Sequence, residues 1–282
     1  MDNVRTRKIK AFEDLTIADD FMFGAVMSEE KNLKPLLEYI LDIKIKHISY
    51  PEKQKAIDVN YDSKGIRLDV YCEDDKNTVY SIEMQVANKG NLPKRIRYYH
   101  DMIDLNIIDK GEDYKSLKNS FVIFICCFDA FGKNRYIYTF KRQCQEDSSI
   151  FLGDDAVSIV LNTKGTVGEI NEELKGALKY IDGEQPTSEY ANRLNRSVEN
   201  VKANEKWRRD YMTMAMKIKE ENEIVDLARV ISATKNLQGK LSNQEISDAL
   251  MITIEQYNEI LSLLDQYPNK DEWEIAEMIL YK

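Results

Sequence analysis

Two adjacent stretches of alternating apolar and polar residues place the strongest constraint on how this chain can fold. They lie in residues 66–85, IRLDVYCEDDKNTVYSIEMQ, and the polar run 73–77 separates them. Such alternation predicts half-buried strands, and a polar run between two strands predicts a turn. The sequence therefore predicts an antiparallel hairpin with one apolar face and one polar face.

Folding this hairpin about Lys76 gives a register that matches the chemistry of the facing residues. The pairs on the apolar face are then Leu68 with Met84, Val70 with Ile82, and Cys72 with Tyr80. The pairs on the polar face are Asp69 with Glu83, and Arg67 with Gln85. A slip by one residue would move polar side chains onto the apolar face, so the pattern supports its own register.

In this register, Asp69 and Glu83 form a pair of facing carboxylates. Directly opposed Cβ atoms lie about 4.5–5.5 Å apart, and like charges placed there repel each other. A divalent cation between the carboxylates would remove the repulsion, because Mg²⁺ binds carboxylate oxygens. Alternatively, the pair is ordinary polar decoration of a solvated sheet face, with Arg67 reducing the repulsion. The residues alone leave both interpretations open.

Composition argues against several other kinds of site. The chain has 282 residues, 43% of them hydrophobic, which suits one large or two modest domains. Two histidines are too few for a poly-His metal site, and the four cysteines form no CxxC or Cys/His cluster, so neither zinc nor a disulfide framework is indicated. No apolar run reaches the ~18 residues that span a bilayer. The charged N-terminus lacks a signal-peptide pattern, so we expect a cytoplasmic protein without a membrane segment.

Around the hairpin, the sequence predicts helices and further strands. Residues 18–43 have helical spacing, and Glu38 among them would either point toward the hairpin or be a solvated helix residue. A helix that follows Pro93 places Arg95 and Tyr99 on one face, because they are four residues apart. Further strands are predicted at 120–128, 135–140 and 157–162, followed by a helix at 171–181. The expected fold is a mixed α/β sheet covered by helices.

A change of composition at 183–186 predicts the end of the sheet domain. We expect three parts: the sheet domain over 1–183, a long charged helical segment over 184–240, and a small helical module over 241–282. Residues 188–235 carry apolar side chains at helical spacing, which would serve either homodimerisation or packing within the chain. The net charge of −9 argues against a dedicated nucleic-acid binder, although basic residues recur locally, as at 94–97.

The helical module begins with two capping patterns. Ser242 with Glu245, and Thr253 with Gln256, each predict a capping box at the start of a helix. The spacing of the two helices is similar to a helix-turn-helix. Because the second helix is acidic, it is poorly suited to reading a DNA groove, and we interpret the module as an interaction module or a structural cap.

The hairpin and its flanking residues resemble a known nuclease family. Asp69, followed on the next strand by Glu83-Met84-Gln85, resembles the PD-(D/E)XK nuclease signature, with Leu68 in place of the leading Pro and Gln85 in place of the Lys. Further features narrow the resemblance: Asp19–Phe23, the LLEYIL helix, Arg95 with Tyr98-Tyr99, and the charged helical tail with Tyr211-Met212. Together they resemble the Rpn family of recombination-promoting nucleases and transposases, over about residues 14–235.

This resemblance implies a PD-(D/E)XK-like α/β fold, with a mixed central sheet flanked by helices and a C-terminal helical extension. It implies a metal-dependent DNA endonuclease, associated with recombination or mobile elements. Asp69 and Glu83 would bind Mg²⁺ or Mn²⁺, and Gln85 would use hydrogen bonds to orient water or phosphate where the family uses Lys. Arg95 would contact a phosphate or form a salt bridge to the carboxylates, and Tyr99 would lie beside the DNA substrate or serve packing.

Because Gln85 replaces the lysine of the family pattern, two functions other than a nuclease stay open. Gln85 carries no charge, which is consistent with a catalytically weak or inactive relative that keeps the fold and serves in binding or regulation. The other is an oligomeric scaffold organised by residues 188–235.

Overall fold

The computed structural model describes residues 6–50, 56–57 and 66–281, with the backbone alone at 56–57 and 66–67. The helices are α1 (Asp20–Met27), α2 (Glu30–Leu41), α3 (Leu92–Ile107), α4 (Glu172–Ile181), α5 (Glu189–Lys202), α6 (Glu205–Leu237), α7 (Asn243–Leu250), α8 (Ile254–Gln266) and α9 (Glu272–Leu280). The strands are β1 (Ile48–Ser49), β2 (Ala56–Ile57), β3 (Ile66–Arg67), β4 (Val70–Asp74), β5 (Val79–Gln85), β6 (Ser120–Cys126), β7 (Ile137–Phe140) and β8 (Ala156–Asn162).

Six strands form one mixed sheet in the order β1-β4-β5-β6-β8-β7. Strands β5, β6 and β8 run parallel, and the remaining neighbours are antiparallel. Every residue of β5 is buried, so both faces of the sheet are covered at its centre. The expected fold class, a mixed α/β sheet flanked by helices with a C-terminal helical extension, is confirmed.

The predicted hairpin register is confirmed over β4 and β5. The observed partners are Val70 with Ile82, and Cys72 with Tyr80. The hairpin ends earlier than predicted, because the chain bends at Asp69 and β3 pairs with β2 in a separate two-stranded sheet. The expected pairing of Arg67 with Gln85 is therefore wrong, since the partner of Arg67 is Ala56.

Helix α3 covers the face of β5 that was predicted to be polar. Its apolar side shares one buried cluster with residues of β5, β6 and β8, among them Ile96, Tyr99, Ile103, Val79, Val122, Phe124 and Val160. Helices α1, α2, α4 and α5 pack on one another, and α1 also contacts β5. Strand β5 thus contacts helix α1 and is covered by helix α3, whose Arg95 reaches Glu83.

The chain divides into two compact units, one over Glu13–Arg208 and the other over the remaining described residues. In the first unit, the apolar side of α5 is buried and the helix contacts α4 and α1. In the second unit, α8 and α9 share a core with residues 224–231 of α6, and both predicted capping boxes are present. The division of the chain at 183 and 240 stays a prediction. In the part of the chain that the structure describes, no helix is long and apolar enough to cross a membrane.

Candidate active site

Backbone N–H groups of the two facing segments hold the carboxylates of Asp69 and Glu83 in place. The N–H of Asp69 donates to Oε1 of Glu83 at 3.1 Å, and the N–H of Met84 donates to Oδ2 of Asp69 at 3.0 Å. These bonds replace the regular ladder at the place where the chain bends before β4. The backbone therefore brings the two carboxylates side by side.

The Glu83 carboxylate lies in an environment that disfavours its charge. Its side chain is 1% exposed. Burial raises the pKa of Glu83 well above its usual value, and the charge of Asp69 adds to this increase. The hydrogen bond from the Asp69 backbone, the charge of Arg95 and a hydrogen bond with Tyr99 oppose this increase. A buried carboxylate beside a second carboxylate is an arrangement that a bound cation would stabilise.

Arg95 approaches Glu83 from α3. Its Nη2 donates to Oε2 of Glu83 at 3.3 Å, and its Nε and Nη2 donate to the hydroxyl of Tyr99 at 3.0 and 2.6 Å. The guanidinium carbon lies 5.0 Å from the ring centroid of Tyr99 and 5.1 Å from that of Phe124. The two rings and the hydrogen bonds fix the orientation of the guanidinium, and the Arg95 side chain as a whole stays 30% exposed.

Gln85, which occupies the position of the family's Lys, is bonded to protein groups at both ends of its amide. Its Nε2 donates to the carbonyl of Ala87 at 2.6 Å. Its Oε1 accepts a hydrogen bond from Nη1 of Arg95. The side chain thus connects the exposed loop after β5 to helix α3.

Asp20 is a further acidic residue near this group, and sequence reasoning did not select it as a site residue. Partial removal from water raises the pKa of Asp20, while the charges of Arg95 and Lys89 lower it in part. Helix α1, which carries Asp20, comes close to the hairpin at Gly24, where an added Cβ would lie 3.4 Å from the carbonyl oxygen of Asp69. The signal in the sequence was the Asp19–Phe23 segment, which contributed to the family resemblance but had no assigned role.

The structure brings all five predicted site residues together. They are Asp69, Glu83, Gln85, Arg95 and Tyr99. Glu38 is not among the contacts of this group. Its carboxylate accepts the N–H of Ile45 at 3.0 Å and pairs with Lys44, so it stabilises the chain after α2.

The donor set of this group is consistent with one hard divalent cation. Mg²⁺ binds carboxylate oxygens and often takes only one or two of them from the protein. Asp69 and Glu83 provide two such groups, and a cation would offset the burial and the charge of Asp69, which together raise the pKa of Glu83. Over the described ranges, no cluster of three or more His, Cys, Asp or Glu side chains that could hold a metal is present. The residues therefore fit a cation that keeps other ligands from water or substrate.

Comparison with known families agrees with the geometry. Residues 17–155, about half of the chain, match the family described as PD-(D/E)XK nuclease family transposase. Through these residues, the chain belongs to that family. The matched segment contains all five predicted site residues, together with Asp20. Searches of curated proteins and of solved structures found no match. Membership in the PD-(D/E)XK family supports a nuclease function associated with transposases.

Proposed function

We propose that this protein is a metal-dependent DNA endonuclease that hydrolyses phosphodiester bonds. The observation that carries the proposal is the pairing of Asp69 with Glu83, in which a half-buried carboxylate lies beside a buried one and Arg95 contacts the buried one. Membership in the PD-(D/E)XK family supports the same reaction and a DNA substrate. We further propose recombination or the movement of mobile elements as its setting.

In this proposal, Asp69 and Glu83 hold a Mg²⁺ or Mn²⁺ ion. A divalent cation bound there would stabilise charge on the phosphate and lower the pKa of a bound water. The backbone N–H groups of Asp69 and Met84 keep the two carboxylates in place, so little reorganisation is needed when the cation binds. Arg95 and Tyr99 complete the site on the side of α3.

Cleavage of supercoiled plasmid tests the proposal directly. We expect wild type to nick or linearise the plasmid with Mg²⁺ or Mn²⁺, and to lose this activity in EDTA. Asp69→Asn and Glu83→Gln should each cut at least about 100-fold more slowly, since each removes a charged ligand but keeps the size of the side chain. Glu112→Gln is the matched control, because Glu112 is an exposed carboxylate in the loop before β6, at the opposite end of the sheet. Equal cutting by wild type and Asp69→Asn would refute the proposal.

Thermal unfolding separates the nuclease from a relative that lacks activity. A cation that binds only the folded state raises the melting temperature, and the increase should vanish in Asp69→Asn. If the plasmid stays intact with every metal while the protein still binds DNA, the alternative of a non-catalytic binding protein is correct. If neither metal nor DNA changes the melting temperature, a scaffold role is favoured.

A further inference from the structure

The PD-(D/E)XK signature places a lysine where this chain has Gln85, so the site must obtain its positive charge elsewhere. We propose that Arg95 of α3 supplies that charge and contacts a phosphate of the DNA, while Gln85 is a positioning residue that holds Arg95. The inference rests on the proposed function and assigns different roles to two of its residues.

The hydrogen bonds of Gln85 support the first part of this assignment. Its carbonyl oxygen accepts from Arg95, and its amide nitrogen donates to the carbonyl of Ala87. One donor and one acceptor site of the amide are therefore used inside the protein, and Gln85 is only 8% exposed, whereas a residue that orients substrate would direct an exposed end toward it. By bonding to both partners, Gln85 fixes the start of the loop after β5 relative to α3.

The donors of Arg95 support the second part. A guanidinium has five N–H donors. Four hydrogen bonds go to Glu83, Gln85 and Tyr99, two of them to the hydroxyl of Tyr99. Counted against the described residues, one N–H of Nη1 is left, on a side chain that is 30% exposed. An oriented guanidinium with a remaining donor is suited to a phosphate oxygen, and two aromatic rings hold it in that orientation.

Arg95 brings its charge to the residue two positions after Glu83, where the family signature has its lysine. From α3, Arg95 lies over the face of β5 that carries the side chains of Glu83 and Gln85, and it contacts both of them. The charge on Arg95 also acts on Asp20 of α1, where it opposes in part the increase in pKa that desolvation causes. A single arginine from the covering helix thus serves the carboxylates on α1 and on the hairpin.

The salt dependence of DNA binding tests the charge without requiring cleavage. Binding of a fluorescein-labelled duplex is measured in Ca²⁺ over a series of KCl concentrations. Each phosphate contact contributes about 0.9 to the slope of log Kd against log salt concentration. We expect Arg95→Gln to lose about one such contact, while Arg95→Lys and Gln85→Met keep the slope of wild type. An unchanged slope in Arg95→Gln would overturn the inference.

Cleavage in Mg²⁺ tests the division of roles. Arg95→Gln should cut about 100-fold more slowly than wild type, and Gln85→Met should lose less. The double variant Arg95→Gln/Gln85→Lys should recover at least about tenfold over Arg95→Gln, since it returns a charge from the strand. Arg97→Gln, an exposed arginine two residues along α3, is the matched control and should cut as wild type does. Melting temperatures exclude loss of folding as the cause.

The two proposals fail in different ways. A wild type that binds the duplex but does not cut it contradicts the nuclease proposal, and the salt slope still decides the role of Arg95. A wild type that cuts, and an Arg95→Gln variant that cuts equally well, contradict the role of Arg95 alone. If Gln85→Met loses the salt slope and Arg95→Gln does not, the assigned roles are reversed and the inference is wrong.

Discussion

His100 should make the stability of this protein depend on pH, in a way that one substitution can isolate. The ring lies on α3, is 4% exposed, and contacts two serine hydroxyls, Ser120 Oγ at Nδ1 (3.0 Å) and Ser158 Oγ at Nε2 (3.1 Å). Burial, with a contribution from Arg142, lowers the pKa of His100 to about 4. Asp101 and Asp154 oppose this decrease only in part.

The sign and size of the effect follow from the two pKa values. A histidine in the unfolded chain has a pKa of about 6.5, so between about pH 6.5 and 4 the unfolded state binds the proton and the folded state does not. The stability that neutral His100 contributes is complete above pH 6.5 and is lost as the pH falls toward 4. From pH 7 to pH 5 the loss is about 2 kcal/mol, which corresponds to about 4–8 °C in melting temperature for a unit of this size.

The assay compares melting curves of wild type, His100→Gln and His47→Gln at pH 7 and pH 5. His47 is the other histidine of the chain and is exposed, so it is the matched control. Between pH 7 and pH 5, the melting temperatures of wild type and His47→Gln should fall by about 4–8 °C more than that of His100→Gln. NMR of the ring protons, with only two histidines to assign, should show His100 uncharged until close to pH 4. Equal losses in all three proteins would refute the reasoning.

Three further substitutions test the site and the tail. Glu83→Gln should raise the melting temperature of the metal-free protein at pH 7, because it removes a buried carboxyl group whose charged form is disfavoured. An unchanged melting temperature would show that this charge does not destabilise the protein. Gly24→Ala should fold with equal or greater stability, whereas Gly24→Val should slow plasmid cleavage by crowding the Asp69 carbonyl, 3.4 Å from an added Cβ. Met251 has φ 54° and is 93% exposed, so Met251→Gly should stabilise by about 1 kcal/mol in denaturant unfolding, while Met216→Gly within α6 should destabilise by about as much.

The sequence was sufficient for features that depend on local periodicity. Alternation in β4 and β5, with a polar turn between them, determined the register, and it correctly placed Asp69 close to Glu83. Helical spacing correctly placed Arg95 and Tyr99 on one face of α3. Each of these conclusions needs only residues within one or two neighbouring elements.

Other features depend on contacts between distant segments, which periodicity cannot supply. The hairpin stops at Asp69 because residues 56–57 pair with β3, and a two-residue strand has no period to recognise. Asp20 comes near Arg95 because α1 packs on β5, a contact between segments that are far apart in the sequence. The bond between Gln85 and Arg95 likewise requires α3 to lie over β5.

The carboxylates that we propose as metal ligands reduce the stability of the metal-free protein. Burial of Glu83 beside Asp69 is unfavourable, and the N–H of Asp69 together with Arg95 and Tyr99 offsets it only in part, since the pKa of Glu83 stays raised. A divalent cation at about 100 times its Kd would add about 2.7 kcal/mol to wild type, and Glu83→Gln should gain far less. We therefore expect Glu83→Gln to be the more stable protein in EDTA, and its advantage over wild type to shrink and then reverse as Mg²⁺ or Mn²⁺ is added. If the difference in melting temperature between wild type and Glu83→Gln stays constant over the whole metal titration, Glu83 does not bind the cation.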